Sequence, residues 1–170
     1  HERKNEKTAV IISISSDIGY ALAQKYSELG YRIIGTYRST NLLEKLKQIP
    51  DCNLFSCDLS YKEDVKRFIE SFEKLGLKWN FIISCPCNPL PLKAFFEADF
   101  DEWEKSVHLN VIEQLRLLHK LYLFKNKERI PTVVFFSGAG TNSAVINFSA
   151  YAASKIMLIK MCELLDAENK

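Results

Sequence analysis

The sequence predicts an α/β protein, a doubly wound parallel β-sheet in a three-layer α/β/α arrangement. Apolar runs of strand length alternate with longer stretches of helical period, which is typical of βαβ units. The strand-like runs are apolar throughout rather than at every second residue, as expected when helices cover both faces of a sheet. The 170 residues, 47% of them hydrophobic, suffice for one domain with a sizeable core.

The first half of the chain starts with a strand predicted over residues 8–13. A helix follows over residues 18–29, where apolar side chains recur at helical spacing before Gly30 ends it. The run RIIGTY predicts the second strand at 32–37, and a short helix is predicted over 40–48.

Pro50 separates that short helix from a third strand, NLFSC, at residues 53–57. Helical periodicity then predicts a helix over 62–75, and FIIS predicts the fourth strand at 81–84. Three prolines mark residues 86–98 as a loop.

The last part of the chain predicts a long helix over residues 100–125, because apolar residues recur along one stripe of it. TVVFF at 132–136 predicts a fifth strand, and the final helix is predicted over 149–168. Residues 8–170 are therefore expected to form a single domain, and the charged residues 1–7 a disordered or trimmed tail.

Charge and hydropathy exclude several classes of protein. The 23 basic and 21 acidic residues give a net charge of +2 without a long block of either sign, so nucleic acid binding is not indicated. The longest apolar stretches are too short to span a membrane, and the charged opening has no signal-peptide pattern. A soluble, cytoplasmic protein is expected.

Five cysteines, an odd number without an export signal, favour reduced thiols over a disulfide framework. Cys85 and Cys87 flank Pro86, but no histidine or second close pair accompanies them, so no metal site is predicted.

Tyr151 and Lys155, in the run FSAYAASK, are the strongest candidates for chemistry. A spacing of four on a helix places both side chains on one face, about one turn apart. A phenol ordinarily titrates near ~10, and an adjacent ammonium favours the phenolate and lowers its pKa, which would suit proton transfer. Packing with a solvated charge explains the same spacing, so the surrounding sequence has to decide.

The run from Val10 to Glu168 resembles the short-chain dehydrogenase/reductase family in the order of its elements and in several motifs. The family's TGxxxGxG turn corresponds to residues 12–19, where Ser13 and Asp17 replace two of three glycines. Its catalytic asparagine, serine, tyrosine and lysine correspond to Asn110, Ser137, Tyr151 and Lys155, and its NNAG segment to Ser84-Cys85-Pro86-Cys87. The resemblance implies a Rossmann-like fold that lacks the family's last strands.

The resemblance also implies the residue roles. Tyr151 would be the general acid/base, and Lys155 would lower its pKa and hold the cofactor ribose. Ser137 would position the substrate oxygen, and Asn110 would help to seat a relay water. Gly138 is an alternative match for the serine position if the preceding loop is one residue shorter.

The cofactor-binding residues implied by the resemblance include an arginine that bears on cofactor choice. Arg38, directly after the second strand, stands where NAD-dependent members usually have an acidic residue, which favours NADP(H) over NAD(H), although an ordinary surface arginine is the alternative. The full implied set is Ser13, Ser15, Ser16, Asp17, Ile18, Gly19, Arg38, Asp58, Leu59, Ser84, Tyr151 and Lys155.

Asp17 is the most disruptive of the replacements in the glycine-rich turn. Its carboxylate is suited to cap the following helix and to compete with phosphate for the same N–H groups. Alternatively, aspartate tolerates left-handed backbone angles and simply fills the turn.

These observations together predict an NADP(H)-dependent oxidoreductase that interconverts a carbonyl and an alcohol in a small-molecule substrate. The alternative is a non-catalytic relative, a dinucleotide sensor or assembly subunit, and an extended-group epimerase or dehydratase is a third.

By the resemblance, the helices near 100–125 and 149–168 are expected to form a homo-oligomer. Without the family's further strands, TVVFF would be an exposed apolar sheet edge that a missing segment or a partner covers.

Overall fold

The central strand β1 (Thr8–Ile12) is buried at every residue and pairs in parallel with a strand on each side. These neighbours are β2 (Arg32–Tyr37) and β4 (Phe81–Ser84). With β3 (Cys52–Ser56) beyond β2 and β5 (Thr132–Phe135) beyond β4, the order is β3-β2-β1-β4-β5. The predicted doubly wound parallel sheet is confirmed, and its order reverses between β2 and β4, on either side of β1.

The computed structural model describes residues 7–169, so all of the predicted tail except Lys7 lies outside the described residues. The chain divides into two compact units, each described below by itself. One comprises the described residues through Pro86 together with Leu117–Val134, and the other comprises Cys87–Arg116 with the described residues from Phe135 onward.

The first unit covers its sheet with α1 (Asp17–Glu28), α2 (Leu43–Leu46), α3 (Lys62–Lys74) and the second half of α5 (Glu113–Leu121). The strands are apolar at successive residues because both faces of the sheet are covered. The largest fully buried side chains of this unit are Trp79, Phe68, Phe72, Ile11, Ile12, Ile14, Ile33, Ile34, Leu46, Ile82, Leu117 and Leu121.

The helix predicted over residues 100–125 is divided in the structure. α4 (Phe100–Val107) continues into a π-helical segment, His108–Ile112, and then into α5, and Tyr122–Phe124 is a 3₁₀ turn. Gln114 Nε2 donates hydrogen bonds to the carbonyls of Leu109 and Asn110, both at 3.1 Å. A side-chain amide thus caps two carbonyls in the widened turn, a detail that apolar periodicity does not record. The short helix predicted over 40–48 is likewise reduced to α2.

The second unit is built from α4, the π-helical segment, the start of α5 and α6 (Ser149–Glu168). The indole Nε1 of Trp103 donates to Ser149 Oγ at 2.9 Å, which links α4 to the first turn of α6. α6 buries Ala150, Ser154, Lys155 and Leu158, while Ile156 and Met157 are about half exposed. The homo-oligomer predicted for these helices stays a prediction.

No helix within residues 7–169 combines the length and the apolar character that crossing a membrane requires. The five cysteines are free.

Cys57 should make the stability of the first unit sensitive to alkaline pH. Its thiol is buried, and burial, with the carboxylates of Asp64 and Asp58 adding to it, raises its pKa to about 12. In the unfolded chain the thiol loses its proton near pH ~8.5, whereas the folded state keeps it to a higher pH. The free energy of unfolding should therefore fall across this window by up to ~1.4 kcal/mol per pH unit.

Urea unfolding at about pH 8 and about pH 10.5 measures that slope. Cys57→Ala should flatten it, and Cys162→Ala, at an exposed thiol, should leave it closer to that of the parent. If the free energy of unfolding falls with pH equally in Cys57→Ala and the parent, Cys57 is not the cause of the alkaline sensitivity.

Candidate active site

Tyr151 and Lys155 lie one turn apart on α6, and the second unit holds both of them. Lys155 Nζ is 5.4 Å from the centroid of the Tyr151 ring, a distance at which a cation is attracted to a ring face. The spacing that predicts one shared helix face is therefore realised.

Lys155 is almost completely buried, although lysine side chains rarely are. Its Nζ donates a hydrogen bond to the carbonyl of Phe136 at 2.9 Å, just after β5 ends. A buried ammonium needs such partners, because desolvation without them is costly. The contact fixes the ammonium beside the turn that leads toward α6.

The Tyr151 hydroxyl lies against Gly138 and shares a hydrogen bond with the Cys87 thiol. Phe148 packs against the Tyr151 ring edge-on, with centroids 6.0 Å apart. Burial raises the pKa of Tyr151, and Cys87 raises it further, through the negative charge of its ionised form and through its hydrogen bond to the phenol. The prediction that Lys155 lowers the pKa of Tyr151 is therefore wrong. The net shift is upward, and burial, which the sequence does not reveal, is its largest cause.

Asn110 is completely buried in the π-helical segment and is bonded to the backbone of Asn88. Its Oδ1 accepts from Asn88 N at 2.7 Å, and its Nδ2 donates to Asn88 O at 2.8 Å and to Ser106 Oγ at 3.2 Å. Ser106 Oγ donates to the same Asn88 carbonyl at 3.0 Å. Asn110 therefore holds the start of the proline-marked loop in place.

Ser137 is exposed, two residues after β5, whereas Gly138 faces the Tyr151 hydroxyl. The structure thus brings Tyr151 and Lys155 together and places the alternative serine match, Gly138, against the phenol. No hydrogen bond within residues 7–169 ties the Ser137 hydroxyl to Tyr151.

In the first unit, the turn between β1 and α1 is closed by serines. Ser13 has the left-handed backbone (φ 57°), and its carbonyl accepts from Ser16 Oγ at 2.9 Å. Ser16 is the N-cap of α1, and its Oγ accepts from Gly19 N at 3.0 Å.

Both alternatives considered for Asp17 are therefore wrong. The carboxylate does not cap the helix, and the residue does not fill a left-handed position, because Ser16 and Ser13 do so instead. Asp17 is the first residue of α1 and its side chain is exposed, as is that of Ile18. Ser15 is half-buried in the same turn.

The remaining predicted binding residues of the first unit follow its strands. Arg38 directly follows β2 and is exposed, and Ser84 ends β4 and is buried. Leu59 is buried, and Asp58 Oδ1 accepts from Ser60 N at 2.9 Å. In a parallel sheet the carboxyl ends of the strands share one edge, and ligands bind at the point where the strand order reverses. β1, at this reversal, leads into the serine turn.

Two partners of the Tyr151 phenol, Cys87 and Gly138, were not assigned such a role from the sequence. The one available signal for Cys87 was its position in the segment that follows β4, at the last residue of Ser84-Cys85-Pro86-Cys87. For Gly138, the signal was that it is the alternative match for the family's catalytic serine.

Fold and site together define an α/β protein with a serine-closed strand-to-helix turn after its central strand and a tyrosine–lysine pair on one helix. Residues 7–170 match the family described as short chain dehydrogenase, and the chain belongs to that family.

Among curated relatives, an uncharacterized oxidoreductase of Schizosaccharomyces pombe is 20% identical, over 95% of this chain and 64% of its own length. The 3-amino-tetrahydro-pyrrolizinone reductase of Xenorhabdus hominickii is 25% identical, over 96% of this chain and 57% of its own length. The chain thus spans less than two-thirds of the length of these relatives.

Solved structures share the fold. A short chain dehydrogenase from Salmonella enterica serovar Typhi superposes with a TM-score of 0.87 at 20% identity, covering 96% of this chain and 71% of its own. A variant of actinorhodin polyketide ketoreductase, solved with NADPH, gives 0.86 at 16% identity, covering 96% and 65%.

Proposed function

We propose that this chain supplies the dinucleotide-binding and proton-transfer parts of an NADP(H)-dependent oxidoreductase that interconverts a carbonyl and an alcohol. The observation that carries the proposal is the tyrosine–lysine pair on α6, with the ammonium of Lys155 buried and fixed beside the phenol of Tyr151. The oxidoreductase and reductase names of the relatives support the same class of reaction.

The β1–α1 turn fits a dinucleotide, because it retains the close backbone packing that such a turn needs. A β-carbon at Gly19 would lie 2.6 Å from the carbonyl oxygen of Ser13 and 2.8 Å from Ile14 Cα, so only glycine fits there. The first N–H groups of α1, at Asp17 and Ile18, would bind the diphosphate. The exposed side chain of Asp17 has room to turn away from it.

The other binding residues would contact the rest of the cofactor. Arg38 would pair with a 2′-phosphate, Asp58 and Leu59 would contact the adenine, and Lys155 would hold the ribose. The preference for NADP(H) rests on Arg38, whose planar guanidinium suits phosphate. When bound, the cofactor supplies or accepts the hydride.

The protein's own chemistry is a proton transfer at Tyr151 Oη. The phenol is protonated at neutral pH, and burial raises its pKa further, so it would act as the acid that protonates the oxygen of a carbonyl during reduction. In the reverse direction the same oxygen accepts the alcohol proton. Ser137 would bind the substrate oxygen, and Asn110 would contribute by holding Asn88 and the loop after it.

A cofactor titration tests the proposal. Purified protein is titrated with NADPH and NADH by fluorescence and calorimetry, and saturable micromolar binding, tighter for NADPH, is expected. Arg38→Gln should raise the Kd for NADPH about tenfold, or ~1.4 kcal/mol, and leave that for NADH nearly unchanged. Arg129→Gln, which removes another exposed arginine of the same unit, is the matched control and should change neither constant.

Failure to bind either nucleotide at millimolar concentration would refute the enzyme and the dinucleotide-sensor alternative together, leaving the assembly-subunit alternative. Binding without turnover of any carbonyl would favour the sensor. Equal affinities for NADPH and NADH in the parent would refute the role given to Arg38.

A further inference from the structure

The tip of the Tyr151 side chain occupies the space that a side chain at residue 138 would need. A β-carbon at Gly138 would overlap the Tyr151 hydroxyl oxygen and would lie 2.7 Å from Cε1 and Cζ of the same ring. All three of the nearest atoms belong to Tyr151, so its ring is the first group that a side chain at 138 would meet.

The conformation of the backbone does not explain why residue 138 is glycine. Gly138 does not have a left-handed φ, whereas Gly140, in the same turn, has φ 87°. An L-residue is therefore compatible with the backbone at 138, and the phenol is what excludes it.

Three further residues of the same unit contact the half-buried phenol. Cys87 shares a hydrogen bond with the hydroxyl, Phe148 packs against the ring, and Lys155 Nζ is 5.4 Å from the ring centroid. A group added at 138 would thus displace the phenol tip from these contacts.

We propose that Gly138 is a positioning residue for the general acid: the missing side chain at 138 creates the space that the Tyr151 hydroxyl occupies, next to Cys87. This inference rests on the proposed function for its catalytic consequence. The contact itself does not depend on it. Serine at 138 would then be harmful rather than helpful, because its β-carbon meets the phenol before its hydroxyl contributes.

The first test compares the steady-state kinetics of Gly138→Ala, Gly138→Ser and the parent, with the protein in its full-length form. Both variants should lose about a hundredfold in kcat, as expected when a reacting group is misplaced by about 1 Å, with the Kd for NADPH unchanged. Because displacement breaks the Cys87 contact, which raises the pKa of the phenol, the limb of the pH profile that reports Tyr151 should move to lower pH. Ala139→Ser, which adds one atom at the exposed neighbouring residue, is the control and should match the parent.

The second test is a double-mutant cycle on thermal unfolding, which needs no activity. Gly138→Ala should lower the Tm of the parent by about 4 °C but should leave the Tm of Tyr151→Ala unchanged or raise it, because the obstructing ring is then absent.

An equal loss of Tm in both backgrounds would overturn the proposed contact. Parental or higher kcat in Gly138→Ser would overturn the positioning role, as would an unmoved pH profile in Gly138→Ala. Absence of turnover in the parent would instead count against the proposed function, and the cycle would still decide whether Gly138 makes room for the phenol.

Discussion

Tyr151→Phe is expected to lower kcat for carbonyl reduction about a thousandfold, while the Kd for NADPH changes less than about twofold. The substitution removes only the hydroxyl, the atom that would donate the proton, and keeps the ring that packs against Phe148. Stopped-flow or steady-state assays of nicotinamide absorbance in the full-length protein, together with a cofactor titration, measure both quantities.

Tyr61→Phe is the matched control, because Tyr61 is an exposed tyrosine of the first unit and its hydroxyl has no proposed role. Its kcat should equal that of the parent. Equal rates for Tyr151→Phe and the parent would refute the assigned role, and a large loss of NADPH affinity would show that the hydroxyl acts in binding instead.

The pH dependence of the parent gives a second readout of the same assignment. Burial and the Cys87 thiol raise the pKa of Tyr151, so the proton needed for reduction is fully present at neutral pH. Reduction should stay constant with respect to this group through neutral pH and should fall only as the pH rises through the raised pKa, above about 10. Alcohol oxidation should show the opposite trend, since it requires the phenolate.

Gly19→Ala is expected to destabilise the protein by about 2–3 kcal/mol and to abolish measurable dinucleotide binding. The added β-carbon would lie within 3 Å of backbone atoms of Ser13 and Ile14, which cannot rotate away as a side chain can. Either α1 moves away from the turn, or the turn itself opens. Both changes displace the N–H groups at the start of α1.

Gly30→Ala provides the comparison for stability. Gly30 has a left-handed backbone (φ 79°) but open space around its β-position, so alanine there should cost only about 1 kcal/mol and leave dinucleotide binding intact. Urea unfolding of both variants with a cofactor titration makes the measurement. If Gly19→Ala costs no more than Gly30→Ala, the close packing does not constrain the turn.

The fold was predictable because it depends on local patterns. Continuous apolar runs predict strands covered on both faces, and every one of the five was found within about a residue of its predicted bounds. The long helix was not predicted correctly, because apolar periodicity continues through the π-helical segment. That segment is marked by a polar contact, from Gln114 to the carbonyls of Leu109 and Asn110.

The candidate site was only partly predictable. A separation of four on one helix places Tyr151 and Lys155 on the same face, whatever tertiary contacts form. Which residue of the Ser137-Gly138 pair faces the phenol depends on how the turn packs against α6, which spacing along the chain cannot decide by itself. In the β1–α1 turn, the sequence suggested Asp17 as the helix cap, whereas the hydrogen bond from Gly19 N shows that Ser16 is the cap.

The sequence by itself thus determined the parallel sheet and the placing of Tyr151 and Lys155 on one helix face. Both follow from local patterns, the continuous apolar runs and a separation of four residues on a helix. The tertiary structure alone decided that the phenol contacts Cys87 and Gly138, that residue 19 has room only for glycine, and that the pKa of Tyr151 is raised rather than lowered. Burial and the nearest charges determine a pKa, and both arise only when segments distant in the chain pack together.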